Sequence, residues 1–119
     1  MQITRGNIFI VNLIERDARG QEIGKQRPAV IIQANPWNEN LTSTIILPLT
    51  SRIPVYKSPL TIVIGKDESN LEKDSYVLFP QLRAIDKSRL VKNIGRLSET
   101  KLKEINQNLS LILGLIPLD

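Results

Sequence analysis

A carboxylate and a guanidinium lie close together in the sequence GQEIGKQRPAVIIQ, where Glu22 precedes Arg27 by five residues. Pro28 favours extended backbone at the residue before it, so the Arg27 guanidinium is expected at the entrance of a strand. Arginine presents planar, paired donors that suit phosphate. The pair could therefore form an anion site with a proton acceptor beside it. A strand-end arginine paired with a surface carboxylate is the structural alternative.

Hydroxyl and amide side chains follow two later apolar segments. Thr50 and Ser51 end the sequence PLTS, and their hydroxyls could donate to phosphate oxygens. A turn that bonds its own backbone would explain them equally well. Gln81 could read a base edge or hold its strand, and a salt bridge or a helix cap would account for Arg83 and Asp86.

The composition restricts the chemistry that such residues can perform. Cysteine and histidine are both absent, so thiolate chemistry is excluded and acid–base catalysis must use other side chains. Zinc would need an unusual ligand set, and we expect no metal and no cofactor. The 16 basic and 12 acidic residues give a net charge of +4, which favours polyanionic partners.

The elements that must position these residues are mostly strands. Apolar, β-forming segments predict strands at 7–13, 28–33, 44–49, 60–64 and 75–82, with a short one at 94–97. Pro48 should occupy an edge, a bulge or a strand end. Charged and Asn-rich stretches predict a long loop at 15–26, turns at 34–43 and further loops at 50–59 and 65–74.

Two helices complete the prediction. Residues 84–92 fit a short helix with Asp86 as a cap. After the cap residue Ser98, apolar side chains recur every three or four positions, which predicts a C-terminal helix. These side chains are Leu102, Ile105, Leu109, Ile112 and Ile116. The expected fold is therefore α+β and mainly β, a small antiparallel barrel with a short helix and a C-terminal helix, in one domain spanning residues 1–119.

No membrane segment is expected. The N-terminal apolar run is too short for a signal peptide, and no run approaches the roughly 18 apolar residues of a membrane span. We expect a cytoplasmic protein.

Five motifs occur in an order that resembles one family. They are RG-x-I from Arg5, G-x-E-x(4)-RP from Gly20, the run AVII, PLTS from Pro48 and Q-x-R-x-ID from Gln81. Together they resemble the MazF/PemK (Kid) family of toxin endoribonucleases. The resemblance implies an SH3-like barrel that forms a homodimer. It also implies metal-independent, sequence-selective cleavage of single-stranded RNA, restrained by a cognate antitoxin of the MazE type.

The same resemblance assigns roles to residues. The catalytic arginine of the family falls on Arg27, its hydroxyl residue on Thr50, and the loop glutamate of several members on Glu22. Family members commonly carry an acid where this chain has Pro80, and one branch has a histidine where it has Gln21. The general base is therefore assigned to Glu22. The predicted RNA contacts are Ser51, Gln81, Gln33, Arg83 and Arg52.

Cleavage by such a site would start with the ribose 2′-hydroxyl and leave 2′,3′-cyclic phosphate and 5′-hydroxyl ends, which restricts it to RNA. Arg27 would stabilise the transition state, because a pKa above about 12 opposes proton donation by arginine. Two alternatives remain. One is a non-enzymatic gyrase poison on the same barrel, like CcdB. The other is an RNA-binding homologue without catalysis, which Pro80 keeps open.

Overall fold

The computed structural model describes residues 2–16, 22–53 and 60–117, and the side chains of 14–16 and 22–24 lie outside this description. The strands are β1 (Asn7–Arg16), β2 (Glu22–Ile31), β3 (Ser43–Thr50), β4 (Val63–Ile64), β5 (Ser75–Val77), β6 (Arg83–Asp86) and β7 (Leu90–Arg96). The helices are α1 (Asn35–Asn40), α2 (Lys66–Ser69) and α3 (Glu99–Ile112). Single 3₁₀ turns span Phe79–Gln81 and Lys87–Arg89. Within this part of the chain, no helix has both the length and the apolarity to cross a bilayer.

The strands form one antiparallel sheet in the order β4-β5-β3-β2-β1-β7, and β6 also pairs with β3. The sheet closes partway into a barrel with α3 as the C-terminal helix, so the predicted fold class is confirmed. The sheet has apolar residues packed on both faces. Ile8 and Val30 belong to one cluster, and Phe9 and Ala29 belong to the other. Because successive strand residues point to opposite faces, each strand supplies both clusters.

The predicted loop at 15–26 is wrong in most of its length. β1 runs on to Arg16, and β2 begins at Glu22 and pairs with it in a continuous antiparallel register. Polar residues such as Lys25 and Gln26 are exposed on this hairpin. Strand pairing therefore overrides a charged, glycine-containing sequence that has little β preference of its own. Residues 17–21 lie outside the described part.

Strand β3 changes its partner at Pro48. On one side β3 pairs with β2, and on the other it pairs with β6 up to Ile46 and with β5 from Leu49. Pro48 lies between these two segments, and its carbonyl accepts a hydrogen bond from the Leu78 N–H at 2.9 Å. The N–H and C=O of a strand residue point to the same side, so the missing N–H of proline faces the gap. Pro48 is thus not at a predicted edge, bulge or strand end. It lies between the segment of β3 that pairs with β6 and the segment that pairs with β5.

Two other predictions fail because local sequence preferences are overridden. Residues 84–92 are β6, a 3₁₀ turn and the start of β7, because pairing with β3 and β1 outweighs their helix-forming composition. Asp86 does cap, but it caps the 3₁₀ turn, accepting from the Ser88 N–H at 2.9 Å. The predicted strand at 75–82 ends at Val77, where the chain enters the turn that contains Pro80.

Helix α1 occupies a segment predicted as turns. The buried residue of this helix is Asn38, a polar residue that is 3% exposed. The Asn38 side chain donates to the Gln33 carbonyl at 2.9 Å and accepts from the Gln33 amide at 3.0 Å and the Thr44 hydroxyl at 2.7 Å. Lys87 Nζ donates to the Asn38 carbonyl. A satisfied buried network therefore attaches this short helix to the sheet.

Helix α3 is confirmed, with Ser98 Oγ accepting from the Lys101 N–H at 3.2 Å. Its residues Leu102, Ile105 and Leu109 are buried in the same cluster as Ile8. Ile112 and Ile116 are exposed, because the helix ends at Ile112 and the chain turns at Gly114. The apolar stripe is therefore core over its first half alone.

The Arg5-Gly6 pair connects the N-terminal segment to α3. Arg5 Nε donates to the Ile32 carbonyl at 2.8 Å, and its Nη2 donates to Asn106 Oδ1 at 2.6 Å. Burial lowers the pKa of the Arg5 guanidinium. Gly6 has a φ of +94°, and a Cβ there would lie 2.8 Å from Leu102 Cδ1. The RG motif thus has a structural role, because it allows α3 to pack closely on the N-terminal segment.

Candidate active site

A cleft of about 970 Å³ opens where β2 and β3 separate. Its floor includes apolar side chains of the core cluster beneath α3, such as Leu49, Leu71 and Ile94. Its walls are the ends of β2 and β3, the segment before β5, the 3₁₀ turn at Phe79–Gln81 and β7. Five of the eight predicted site residues line it, namely Arg27, Thr50, Ser51, Arg52 and Gln81.

Arg27 and Thr50 line the same cleft, on strands that are paired further along. The pairs of β2 and β3 run from Ile31↔Ile46 to Ala29↔Pro48, and both residues lie beyond the last pair, where the strands part. Arg27 lies in the middle of β2 opposite Val11 of β1, so the predicted position at a strand entrance is wrong, because strand pairing extends β2 back to Glu22. Arg27 is half-buried, and so is Thr50. Both side chains line the cleft, so a guanidinium and a hydroxyl are available there to one ligand.

The Thr50 hydroxyl has one hydrogen bond that fixes its orientation. Its Oγ1 accepts from the Arg52 N–H at 3.2 Å. This is the backbone-bonded turn that the sequence allowed as an alternative to a phosphate contact. The two roles are compatible, because a hydroxyl has one proton besides its lone pairs and accepting a bond leaves that proton to be donated. Ser51 and Arg52 follow as exposed residues on the same wall.

The Gln81 side chain projects from the 3₁₀ turn that replaces the end of the predicted fifth strand. Phe79 anchors this turn, since it is 1% exposed, and the Gln81 N–H donates to the Leu78 carbonyl at 3.0 Å. Pro80 and Gln81 are exposed. The amide of Gln81 is therefore held at the rim of the cleft by a buried aromatic ring, and Pro80 supplies no ionisable group there.

The position of Glu22 is described by its backbone alone. Glu22 begins β2 and is paired with Arg16 of β1. Its side chain lies outside the described residues, so its assignment as general base stays a prediction.

Gln33 and Arg83 do not line the cleft. Gln33 is 7% exposed, and its amide nitrogen donates to Asn38 Oδ1 and to the Ser43 carbonyl, both at 3.0 Å. A buried amide whose nitrogen donates to two protein oxygens is not available to a base, so we reassign Gln33 to the attachment of α1. Arg83 is exposed on β6, opposite Ile46 of β3 and apart from the cleft wall.

Sequence patterns did not indicate the other charged groups at this site. Lys25, Lys73 and Lys92 join Arg27 and Arg52 along the cleft, and Glu72 is the one carboxylate among its described lining residues. These residues come from separate parts of the chain, which include β2, β7 and the segment that precedes β5, so no local motif connects them. The excess of positive charge favours a polyanion in the cleft.

Across the part of the chain that is described, no group of three or more acidic side chains lies together in the manner of a metal site. Metal-independent chemistry remains a proposal that a chelator tests directly.

Comparison with known proteins identifies the family. The model described as PemK-like, MazF-like toxin of type II toxin-antitoxin system matches residues 4–113. A protein of Staphylococcus saprophyticus named Endoribonuclease MazF is 37% identical over 111 residues, covering 93% of this chain and 91% of that protein.

Solved structures agree in fold. A MazE–MazF crystal structure from Deinococcus radiodurans has a TM-score of 0.77 at 22% identity, covering 98% of this chain and 99% of that one. An endoribonuclease in complex with its cognate antitoxin, from a mycobacterial species, has a TM-score of 0.72 at 20% identity, covering 99% and 98%. Sequence identities this low support a shared fold and no conclusion about function. The family model and the staphylococcal relative carry the membership: this chain belongs to the PemK-like, MazF-like toxins of type II toxin–antitoxin systems.

Proposed function

We propose that this chain is a toxin endoribonuclease that cleaves single-stranded RNA without a metal ion, selectively for sequence. Membership of the toxin family and the 37% identity to a protein named Endoribonuclease MazF support the activity. The observation that carries the proposal to particular residues is the basic cleft, which Arg27 and Thr50 line together.

The reaction is an attack of the ribose 2′-oxygen on the neighbouring phosphorus. The 2′-hydroxyl proton passes to an acceptor, the P–O5′ bond breaks, and the leaving 5′-oxygen takes up a proton. The products are a 2′,3′-cyclic phosphate and a 5′-hydroxyl end. DNA lacks the nucleophile and is not cleaved.

Arg27 is assigned to the charge that develops on the phosphorane oxygens. Its planar donors fit two of these oxygens at once, and its position within the paired strand β2 limits the reorganisation that the reaction requires. Thr50 donates its hydroxyl proton to the phosphate, while Ser51 and Arg52 hold the RNA backbone and Gln81 faces a base. Glu22 is proposed as the proton acceptor on the basis of the family resemblance.

The partners follow from the family and from the names of similar structures. We propose that a MazE-like antitoxin binds this toxin, since solved relatives of the same fold are complexes with MazE or with a cognate antitoxin. A homodimer in the cytoplasm, built from one domain per chain, completes the proposal.

The test is cleavage of a randomised single-stranded RNA pool by purified protein in EDTA, with sequencing of the 5′-hydroxyl ends. Fragments that begin at one sequence context and arise without metal are the expected result. Cleavage that appears only after a divalent ion is added would refute metal independence. Binding without cleavage would favour the inactive RNA-binding homologue, and trapping of DNA gyrase by the protein would favour the CcdB-like alternative.

A further inference from the structure

Glu72 carries a negative charge in a cleft that is proposed to bind RNA, which is itself a polyanion. Among the described residues that line the cleft it is the one acid, and it stands next to Lys73 in a wall shared with Lys92. A carboxylate repels phosphate, so it weakens backbone binding in a site where the other charged side chains strengthen it. If Glu72 contacts RNA, it must therefore contact a part of the RNA other than the phosphate backbone.

The segment that carries Glu72 is fixed at three points. Asn70 adopts a left-handed conformation with φ +54°, and its Nδ2 donates to the Ile94 carbonyl at 3.0 Å. Leu71 is 8% exposed and packs in the core cluster. Asp74 accepts from the first backbone N–H of α2 at 3.0 Å. Glu72 thus stands on a short, anchored turn and not on a loose loop, which lowers the entropy lost when its side chain is engaged.

The hydrogen-bonding capacity of the Glu72 carboxylate is not used inside the described structure. No residue of the described ranges forms an ion pair or a hydrogen bond with it. An ionised carboxylate accepts hydrogen bonds and donates none. In RNA the groups that donate strongly away from the backbone are the ring N–H and the exocyclic amino groups of the bases.

We propose that Glu72 is a specificity-determining residue that accepts a hydrogen bond from the exocyclic amino group of one base beside the cleaved bond. This inference rests on the proposed ribonuclease function and adds the chemistry of its selectivity. Adenine, cytosine and guanine carry such an amino group, and acidic side chains accept from the amino group of cytosine in known complexes. Uracil has none, and the two carbonyl oxygens that flank its N3–H face the carboxylate with like polarity. Glu72 therefore disfavours uracil at one position of the target, although the uracil N3–H is itself a donor.

The experiment compares wild type with Glu72→Ala and Glu72→Gln on the randomised RNA pool in EDTA. Both substitutions remove the negative charge, but glutamine keeps an accepting oxygen. We expect one position that disfavours uracil in the wild type by about 5- to 140-fold, the range that a base-reading contact of about 1–3 kcal/mol produces. Glu72→Ala loses that preference and still cleaves, and Glu72→Gln keeps part of it. Asp67→Asn, an exposed acid on α2 that does not line the cleft, is the control for charge and leaves the preference unchanged.

A second measurement identifies the amino group itself. At the position found in the pool, the amino-bearing base is replaced by its amino-free counterpart: inosine for guanosine, purine riboside for adenosine, or pyrimidin-2-one riboside for cytidine. The replacement slows wild-type cleavage and leaves Glu72→Ala cleavage unaffected. An unchanged sequence preference in Glu72→Ala, equal behaviour of the alanine and glutamine variants, or loss of all cleavage in a folded Glu72→Ala overturns the inference. Wild-type protein that cleaves no RNA refutes the proposed function as well.

Discussion

Replacing Arg27 by alanine tests the centre of the proposed mechanism. Arg27 is half-buried within β2, so its environment lies between water and a protein interior. At an effective dielectric constant of about 20, a unit charge about 4 Å from a phosphorane oxygen contributes about 4 kcal/mol. That energy corresponds to roughly a thousandfold in rate. Solvent reaches the exposed half of the side chain and screens part of it, so Arg27→Ala should slow cleavage by about 10²- to 10³-fold.

Two further variants distinguish the effect of positive charge on the cleavage rate from the effects of donor geometry and of distance from the cleft. Arg27→Lys keeps a positive charge but loses the paired planar donors, so its rate should fall between those of wild type and alanine. Arg96→Ala removes an exposed arginine of β7 that does not line the cleft. A charge that acts through about 10 Å of water contributes about 0.4 kcal/mol, which is about twofold in rate.

The assay is single-turnover cleavage of a fluorescent oligonucleotide that contains one ribonucleotide at the mapped site, in EDTA. Thermal unfolding of each variant shows whether the fold is kept. A folded Arg27→Ala that cleaves within about fivefold of wild type would refute the role of Arg27. An equal loss in Arg96→Ala would show that total charge matters and the strand register does not.

The remaining predictions concern the structure around the site. Asn38→Ala removes three buried hydrogen bonds and should lower the free energy of unfolding by about 3 kcal/mol in urea titrations, while Asn40→Ala, on the exposed side of α1, should cost less than about 1 kcal/mol. A cost below about 1 kcal/mol for Asn38→Ala would contradict the buried network. Hydrogen bonds from Ser88 hold the pKa of Asp86 below its ordinary value of 3.8, so the stabilisation by Asp86 is present above that pH and lost as the pH falls through the lowered pKa. Urea midpoints of wild type and Asp86→Asn should therefore differ at about pH 6 and converge at about pH 2, and a constant difference would refute the linkage.

The parts of the fold that could be predicted are those whose local pattern agrees with their tertiary role. β3 and α3 have clear apolar periodicity, and Ser98 is an ordinary helix cap that the structure retains. The extension of the first hairpin could not be predicted, because residues 22–26 become a strand through pairing with β1 and not through their own preference. Likewise, pairing with β3 decides the conformation of residues 83–86.

The candidate site divides in the same way. Arg27 and Thr50 stand in compact motifs, so the sequence could single them out before the register of β2 and β3 was known. Gln33 also follows a motif, yet its amide is directed into the protein, which periodicity cannot reveal. Glu72 and Lys92 belong to elements far apart in the chain, and their shared position in one cleft arises from the fold alone.

The two strands that carry Arg27 and Thr50 are joined through α1, at the end away from the cleft, and the network around Asn38 holds that connection. The proposed reacting groups are thus part of the sheet, whereas Glu72 and Gln81 stand on short turns that the sheet supports. Under the proposed assignment, substitutions in those turns change which RNA sequences are attacked and leave the cleavage step unaltered. A toxin built this way can acquire new targets during evolution while its cleavage chemistry is kept.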